Sequence, residues 1–399
     1  MTIKVAHLTT VDMSVRHLLL NQILALKHAG FDVTAISAPG SDLGPVREAG
    51  VRHLPVSFTR RVSPLMDARA FLELFQIFRR ERFTIVHTHQ AKAALLGQSA
   101  ARAAGVPIVV NTLHGFYFHE RTPPMKRAAW IALERMQALC SDRILSQNPE
   151  DIETAVQVGI CRRERIEYLG NGIDLSRFDP ESLSPDSRRR MRADLGFADD
   201  ALVVGFVGRQ VREKGILDLF AAFRRVKDHL PSARLLVVGP EEPEKADAVT
   251  AGTVAQYGIA EHTLSVGYRH DMPALYAAMD VCVLPSYREG FPRSPMEASA
   301  MGVPCVATNV RGCRQVVHPE ENGLLVPVGD DVALAAAITR ILEDRGLAAE
   351  MGARARRLAQ REFDERDVFA RVGDAYSRLL LAKGIARHHA AAHEGAQGT

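Results

Sequence analysis

The stretch ALVVGFVGRQVREKGILDLFAAFRRVKDHL, residues 201–230, contains one complete strand–loop–helix unit. Its apolar run ends at Gly208, a loop with the cations Arg209 and Lys214 follows, and an amphipathic helical pattern begins at Gly215. Short apolar runs that alternate with amphipathic helices predict a parallel sheet covered by helices on both faces. The stretch therefore predicts an α/β fold.

Strand and helix patterns alternate on both sides of this stretch, and one polar segment, residues 181–198, interrupts them. We therefore predict two tandem doubly wound, Rossmann-like domains, over residues 1–180 and 199–365. Ligands of such sheets bind beyond the carboxyl ends of the strands, so two facing domains would enclose a cleft between those ends. We expect the polar tail, residues 386–399, to be disordered.

The composition narrows the class of protein. The chain has 399 residues, of which 47% are hydrophobic and 24% charged, as in an ordinary globular protein with two cores. Its five cysteines lack CxxC spacing and predict reduced thiols in a cytoplasmic protein. We expect no signal peptide and no membrane span. Aromatic residues make up only 6% and the net charge is +3, which disfavours nucleic acid as a partner.

The loop after Gly208 combines Arg209, Arg212 and Lys214 with Gly215 at the start of a helix. Glycine lets a ligand approach the backbone closely, the N–H groups at a helix N-terminus are unpaired, and cations attract phosphate. The loop therefore suits a phosphate or diphosphate. It matches neither a Walker loop nor the GxGxxG fingerprint, and a solvated basic turn stays open as the alternative.

Histidines end two strands of the first domain. His114 follows the apolar run VPIVV, and at that strand end it could donate a hydrogen bond to a sugar hydroxyl or a phosphate. A loop histidine satisfied by the protein itself is the alternative, and the same two interpretations apply to His87 and His89. The chain has no DxD motif. We predict no metal site, and we expect cations and helix dipoles, rather than Mg²⁺, to meet a diphosphate.

Two carboxylates lie eight positions apart in REGFPRSPMEASAMGVPCVAT, residues 288–308. Glu289 precedes Pro292 and is therefore expected in an irregular loop, whereas Glu297 is expected in the first turn of a short helix. In one interpretation Ser294 is the N-cap of that helix and Glu297 its capping partner. In the other, both carboxylates face a ligand, and we favour this one for Glu297.

Five segments together resemble one known family: TLHGF (112–116), GNGIDLSRF (170–178), GRQVREKG (208–215), VLPSYREGFPRSPMEASAMGVPCVAT (283–308) and ENGLLVP (321–327). In order and spacing they are similar to the retaining glycosyltransferases of family 4, which have the GT-B fold. The Glu-x7-Glu motif of that family is present here as EGFPRSPME. Segments of the first domain, such as VHTHQAKAALLG, resemble the branch that builds bacterial surface polysaccharides.

The resemblance implies a role for each motif residue on the donor side. Arg209 and Lys214 would hold the diphosphate of a nucleotide-sugar donor, and Glu297 would bind its ribose hydroxyls. The transferred sugar would contact Glu289 and the backbone groups of two further residues, Gly290 and Phe291. The nucleotide base would lie against the VGYRH loop, which carries Tyr268 and Arg269.

The same resemblance implies that His114 contacts the sugar or the diphosphate near the reacting centre. The implied catalytic set consists of His114, Glu289, Arg209 and Lys214. No cofactor is implied besides the donor substrate. The last helix, near residues 366–385, would return to the first domain.

Three departures from the family pattern bear on specificity. The first-domain loop reads TTVDMS (9–14) where many relatives are rich in glycine. Gln315 stands where many relatives place Glu, so a charge-based role is lost there. Pro292 stands where glycine is frequent and removes an N–H donor from the sugar-binding loop.

The acceptor implied by the resemblance is a lipid-linked saccharide or glycan. Two first-domain segments, FTRRVSPLM (58–66) and ERTPPMKRAAWIAL (120–133), mix cations with apolar residues. They could lie on the anionic inner face of the plasma membrane, and the mildly basic first half of the chain agrees with that location. Ordinary helix packing is the alternative and is favoured for Trp130.

Three functions compete on this sequence. The first is a retaining, metal-independent hexosyl- or N-acetylhexosaminyltransferase that uses a UDP- or GDP-linked donor. The second is a sugar-nucleotide epimerase or a phosphorylase of the same architecture, and the third is a non-catalytic nucleotide-sugar-binding protein. The Glu-x7-Glu motif with Arg209, Lys214 and His114 favours the transferase.

Overall fold

The structure is a computed structural model that describes residues 2–59, 62–119, 122–241, 249 and 251–385. The chain divides into two compact units. The first contains residues 1–170 together with 366–399, and the second contains residues 171–365. The predicted tail, 386–399, lies outside the described residues.

The first unit contains a seven-stranded parallel sheet within the described residues, in the order β3-β2-β1-β4-β5-β6-β7. Its strands are β1 Lys4–Leu8, β2 Asp32–Ser37, β3 Arg52–Pro55, β4 Ile85–His89, β5 Ile108–Leu113, β6 Arg143–Ser146 and β7 Ile166–Tyr168. Its helices are α1 Asp12–Ser14, continued by a π-helical turn Val15–Leu19, α2 Leu20–His28, α3 Leu43–Glu48, α4 Pro64–Glu81, α5 Ala91–Ala103, α6 Pro124–Cys140 and α7 Pro149–Gln157.

The second unit contains a six-stranded parallel sheet within the described residues, in the order β10-β9-β8-β11-β12-β13. Its strands are β8 Leu202–Val207, β9 Ala233–Val238, β10 Thr263–Ser265, β11 Val281–Leu284, β12 Cys305–Thr308 and β13 Gly323–Val326. Its helices are α8 Ser187–Asp194, α9 Ile216–His229, α10 Ala251–Gln256, α11 Met272–Ala278, α12 Arg293–Ala300, α13 Arg311–Arg314, α14 Asp331–Glu343 and α15 Arg345–Glu362.

The two sheets confirm the predicted pair of doubly wound, Rossmann-like folds, because every pairing in them is parallel and the strand order reverses once in each. The reversal lies between β1 and β4 in the first sheet and between β8 and β11 in the second. In open α/β sheets the loops at this switch point form the ligand crevice. Each unit therefore has a defined place for a site.

The last helix, α16 Glu365–Ala382, packs on the first unit, as the resemblance implied. Val372, Tyr376 and Leu380 on one face of α16 join the core formed by Val5 of β1 and Ile85 of β4. Apolar side chains at positions i, i+4 and i+8 share one helix face, which explains why this surface helix is held against the sheet.

The boundary between the units differs from the predicted one. Residues 171–180 belong to the second unit, since Ile173 N–H donates to Phe363 O and both side chains lie in its core. The polar segment 181–198 also belongs there. Its α8 anchors through Arg192, a buried guanidinium whose Nη2 lies 2.8 Å from Asp280 Oδ2. The polar segment that was predicted to separate the two domains therefore belongs to the second unit, where Arg192 pairs with Asp280.

No helix within the described residues combines the length and the apolar content that crossing a lipid bilayer requires.

Candidate functional site

The loop between β8 and α9 is shaped by Gly215. This glycine has a left-handed backbone, with φ of +69°, and a Cβ placed on it would lie 1.9 Å from Pro285 O. Only glycine therefore lets the start of α9 approach the end of β11 so closely. A short 3-10 turn, Arg212–Lys214, precedes it and positions Lys214 beside the β11 loop.

Lys214 and Glu289 meet at the switch point of the second sheet. Lys214 Nζ lies 2.6 Å from Glu289 Oε1, and Ser286 Oγ donates to the same oxygen, also at 2.6 Å. The two loops are also joined through the backbone, because Tyr287 N–H donates to Glu213 O. Both side chains are largely buried, so this ion pair is less screened by solvent than a surface pair.

Cations from this loop and from the loop after β11 act on Glu213. Arg288 Nη2 lies 2.6 Å from Glu213 Oε1. Although burial opposes it, the charges of Arg288, Lys214 and Arg209 lower the pKa of Glu213 below its ordinary value. Arg209 therefore belongs to the same positively charged loop as Lys214, as the sequence predicted, while Arg212 is exposed.

The segment after Glu289 is held from two sides. The carbonyl oxygen of buried Phe291 accepts a hydrogen bond from Asn171 Nδ2 at 3.0 Å. Gly312 lies against the backbone of Glu289, and a Cβ on Gly312 would lie 2.6 Å from the carbonyl carbon of Glu289. The Glu289–Gly290 backbone is therefore fixed by packing, which is what a preorganised binding loop requires.

Glu297 is oriented by Tyr276 and not by Ser294. The Tyr276 hydroxyl donates to Glu297 Oε2 at 2.9 Å, and Arg293 Nε lies 3.7 Å from Oε1. Burial raises the pKa of Glu297 above its ordinary value, while Arg293 and Tyr276 oppose that rise. Tyr276 was missed by the sequence analysis, since no short motif connects it with Glu297.

The capping interpretation of Ser294 is wrong. Helix α12 begins at Arg293, one residue before Ser294, and its N-cap is Pro292 in an extended conformation without a side-chain cap. Pro295 is thus the third helical residue. It fits there because the first N–H groups of a helix have no intrahelical partner to lose.

The VGYRH loop after β10 presents one aromatic ring and one ion pair. Tyr268 is exposed and packs edge-on against His270, with ring centroids 5.0 Å apart. Arg269 Nε donates to Asp271 Oδ1 at 2.8 Å, which occupies its guanidinium within the loop. Tyr268 is therefore the more accessible of the two residues predicted to meet a nucleotide base.

His114 lies in the first unit, directly after β5, and both of its ring nitrogens have partners. Its Nε2 lies 3.1 Å from His89 Nδ1, and its Nδ1 lies 3.1 Å from Gln147 Oε1. Burial lowers the pKa of His114 to about 4, so the imidazole is neutral at neutral pH. This arrangement agrees with the alternative of a satisfied histidine and requires any ligand contact to replace one of these bonds.

Three buried histidines, His7, His87 and His89, bring ring nitrogens within 4.8 Å of one another, a cluster that the sequence analysis did not foresee. It arises because β1 and β4 are neighbours in register, with His7 beside His87. The His87 and His89 rings are stacked, at 4.4 Å and 25°. Stacked rings direct their lone pairs side by side and not toward one point, as a metal ion requires. The cluster therefore fits hydrogen bonding better than metal ligation.

Two family models match the chain and together span most of it. Residues 15–172 match the family described as "Glycosyl transferase 4-like domain", and residues 187–358 match "Glycosyl transferases group 1".

Three curated relatives are similar over most of their own length. The chain is 29% identical, over 86% of itself and 89% of the relative, to the UDP-Gal:alpha-D-GlcNAc-diphosphoundecaprenol alpha-1,3-galactosyltransferase of Escherichia coli. It is 26% identical to the capsular polysaccharide biosynthesis glycosyltransferase CapM of Staphylococcus aureus, over 94% and 97%. It is 30% identical to a GDP-mannose-dependent alpha-mannosyltransferase of Mycobacterium tuberculosis, over 80% of each chain.

Among solved structures, Anabaena HepE in complex with UDP and glucose superposes with a TM-score of 0.81. The match covers 94% of this chain and all of HepE at 21% sequence identity, so it supports the two-domain fold.

Proposed function

The chain belongs to the family 4 glycosyltransferases, which are retaining enzymes of the GT-B fold, and we infer that it acts in surface polysaccharide biosynthesis. On that premise we propose that it transfers a hexose or N-acetylhexosamine from a UDP- or GDP-linked donor to a lipid-linked or glycan acceptor. Two of the named relatives use UDP-galactose and GDP-mannose, and the first of them acts on a diphosphoundecaprenol-linked sugar. The epimerase and the non-catalytic binding protein are not favoured, because these relatives are all transferases.

The observation that carries the proposal is the pairing of Lys214 with Glu289 at the switch point of the second sheet. During transfer the bond from the anomeric carbon to the diphosphate oxygen breaks, so negative charge grows on the diphosphate and positive charge on the sugar ring. Lys214, Arg209 and the N-terminus of α9 would stabilise the first charge and Glu289 the second.

Transfer with retention places the acceptor oxygen on the face that the diphosphate leaves. The acceptor hydroxyl forms the new bond to the anomeric carbon, the diphosphate departs with the bonding electrons, and the hydroxyl proton passes to a diphosphate oxygen. Neither Glu289 nor Glu297 is required as a general base in this scheme. We propose that the cations make a metal ion unnecessary, so that a chelator would leave the rate unchanged.

The remaining roles follow from the contacts of each side chain. Glu297, held by Tyr276, is assigned to the ribose hydroxyls, and Tyr268 with Arg269 to the nucleotide base. The backbone of Gly290 and Phe291 is assigned to the transferred sugar. In the first unit, which we propose binds the acceptor, His114 is assigned to the sugar or diphosphate on the resemblance alone.

Donor hydrolysis and transfer test this function. Purified protein would be screened by thermal shift against UDP- and GDP-sugars, because a ligand at ~100 times its dissociation constant adds ~2.7 kcal/mol. The donor that binds would then be incubated with undecaprenyl-diphosphate-linked GlcNAc, with and without chelator. We expect transfer by the wild type and by Lys227→Ala, an α9 control, and its loss in Lys214→Ala and Glu289→Ala. A wild type that binds a donor yet neither hydrolyses nor transfers it contradicts the proposal.

We also propose that the first unit attaches peripherally to the cytoplasmic face of an anionic membrane. Leu65 at the start of α4 and Met125 at the start of α6 are 86% and 88% exposed, and exposed Lys126 follows Met125. Trp130 stacks on Tyr117 with ring centroids 5.0 Å apart, which favours the predicted packing role for Trp130. The predicted cations Arg60, Arg61 and Arg121, with Glu120 beside them, lie outside the described residues.

Sedimentation with liposomes of anionic phospholipid tests the attachment. We expect salt-sensitive binding that the pair Leu65→Ser and Met125→Ser weakens, while Val332→Ser, an exposed apolar residue of the second unit, leaves it unchanged. Equal sedimentation of all three proteins, or none by the wild type, would exclude this surface.

A further inference from the structure

Six hydrogen bonds join seven side chains of the first unit end to end. Beyond His114 and His89, the chain continues from His89 Nε2 to His7 Nδ1 at 3.0 Å and from His7 Nε2 to the Tyr376 hydroxyl at 3.2 Å. That hydroxyl lies 2.7 Å from His87 Nδ1, and His87 Nε2 lies 2.7 Å from Thr112 Oγ1. We call this set the histidine relay: Thr112, His87, Tyr376, His7, His89, His114 and Gln147.

The relay is closed to solvent along most of its length. Six of its seven side chains are buried, and His114, next to the Gln147 end, is half-buried. Burial lowers the pKa of His87 and His89 well below the ordinary value and that of His7 to about 3. Each imidazole is therefore neutral and carries one proton, so it donates through one nitrogen and accepts through the other.

The direction of one bond consequently fixes all the others. Gln147 Oε1 accepts, so His114 Nδ1 carries the proton and its Nε2 accepts from His89 Nδ1–H. By the same rule His7 donates through Nδ1 to His89 and accepts through Nε2 from the Tyr376 hydroxyl. Tyr376 in turn accepts from His87 Nδ1–H, and Thr112 donates to His87 Nε2. All four histidines share the Nδ1–H form.

The hydrogen-bond directions along the relay therefore determine which nitrogen of His114 can donate to a ligand. His114 Nε2 accepts from His89, and its Nδ1–H donates to buried Gln147, while His114 itself is half-buried. A donor substrate could receive this proton in a hydrogen bond by taking the place of the Gln147 oxygen. A neutral imidazole that donates is suited to stabilising growing negative charge.

We propose that Tyr376 on α16 is a positioning residue for His114: through His7 and His89 it sets which ring nitrogen of His114 carries the proton. Tyr376 is the one member that lies on α16, the helix that joins this unit from the far end of the chain, and it both donates and accepts in the relay. Without its hydroxyl, His7 Nε2 loses its donor. Gln147 does not hold the order of protons by itself, because its amide can turn and present its NH2 group, in place of its oxygen, to His114 Nδ1. The catalytic consequence rests on the proposed function, whereas the proton positions do not.

Proton positions are measurable without any substrate. Nitrogen-15 spectra of histidine-labelled protein separate Nδ1–H from Nε2–H forms. We expect His7, His87, His89 and His114 to share the Nδ1–H form in the wild type. In Tyr376→Phe, which keeps the ring that packs against Phe31, His7, His89 and His114 should become mixed or change to Nε2–H. Tyr168→Phe, a control whose ring lies against Arg371 of α16, should leave all four unchanged.

A second variant distinguishes an interrupted relay from a folding defect caused by the change at Tyr376. His7→Phe interrupts the relay while Tyr376 stays, so it should alter His89 and His114 in the same way. Different forms among the four histidines in the wild type would overturn the proposal. So would an unchanged His114 in both variants, each of which must first show a wild-type circular dichroism spectrum.

Kinetics with UDP-galactose, UDP-glucose and GDP-mannose as probes supply the second measurement. Tyr376→Phe should lower the kcat of donor turnover about tenfold with KM within about twofold, because a misplaced group costs rate rather than affinity. A changed His114 spectrum with unchanged kcat overturns the positioning role. A wild type that turns over no donor contradicts the proposed function. In that case the nitrogen-15 spectra alone test whether Tyr376 sets the tautomer of His114.

Discussion

Lys214 Nζ lies 2.6 Å from Glu289 Oε1, so two residues of the predicted catalytic set form an ion pair with one another. The contact forms because β8 and β11 are hydrogen-bonded neighbours and each residue follows its strand at the same edge of the sheet. A bound diphosphate would attract Lys214 away from Glu289. Glu289 would then keep the hydrogen bond from Ser286, which already donates to the same oxygen.

Replacing Lys214 by Met should lower the transfer rate by about 10²–10³, or about 3–4 kcal/mol of transition-state stabilisation, by analogy with the loss of one oxyanion donor. The expected defect lies in kcat, measured by single-turnover transfer. Lys227→Met on α9 is the matched control. A Lys214→Met variant that loses only donor affinity would show that the cation binds the ground state and transition state equally.

The same pair should be coupled in folding. Lys214→Met leaves a largely buried carboxylate with one donor and should reduce the free energy of unfolding by about 1–3 kcal/mol. Adding Glu289→Gln removes the uncompensated charge and should recover part of that loss. Urea denaturation of both single variants and the double variant measures the coupling, and strictly additive losses would exclude it.

Tyr276→Phe should weaken donor binding about tenfold, because Glu297 loses the hydroxyl that orients it. Burial already raises the pKa of Glu297, and losing this donor raises it further. The variant's binding defect should therefore grow as the pH is lowered toward that pKa. Calorimetric titration at several pH values measures it, with Tyr257→Phe as a control that lacks contact with Glu297. An equal defect at every pH would argue that Tyr276 acts through packing alone.

The buried histidines predict acid lability. Their ordinary pKa is 6.5, whereas burial lowers that of His7 to about 3 and that of His114 to about 4. Between these values the unfolded chain binds more protons than the folded one, so stability is present above pH 6.5 and is lost as the pH falls. Each relay histidine contributes up to about 1.4 kcal/mol per pH unit. Urea unfolding between pH 7 and 5 should show this slope, and His7→Phe should reduce it.

Glu134 on α6 should make the stability of the fold depend on pH in the opposite direction. Burial, with help from the charge of Asp151, raises its pKa from 4.5 to about 7. The folded state therefore holds a proton that the unfolded state has released, and this group's contribution to stability falls as the pH rises from 4.5 to 7. Glu134→Gln should remove that loss and gain up to about 3 kcal/mol relative to wild type above pH 7. A difference that does not depend on pH would contradict the assignment.

The fold class and the loop that carries the proposed diphosphate site could both be predicted from the amino-acid sequence. Apolar runs of strand length between amphipathic helices require parallel sheets, and glycine and cations after one strand, as in Gly208–Gly215, are local features. The Glu-x7-Glu motif is also visible in the sequence, and it runs from the loop after β11 into α12. These properties can be read from neighbouring residues because they depend on backbone geometry and local periodicity.

The partners of individual side chains, in contrast, depend on the folded arrangement of distant segments. Lys214 and Glu289 are 75 positions apart, and Tyr376 lies 369 positions from His7. Such contacts depend on strand order, on register and on the return of α16 to the first sheet. The same holds for the boundary at residue 170 and for Arg192, which lies in the polar segment between the predicted domains but is buried against Asp280. Sequence spacing carries no information about these partners, because a buried polar group is satisfied by whichever element the fold brings beside it.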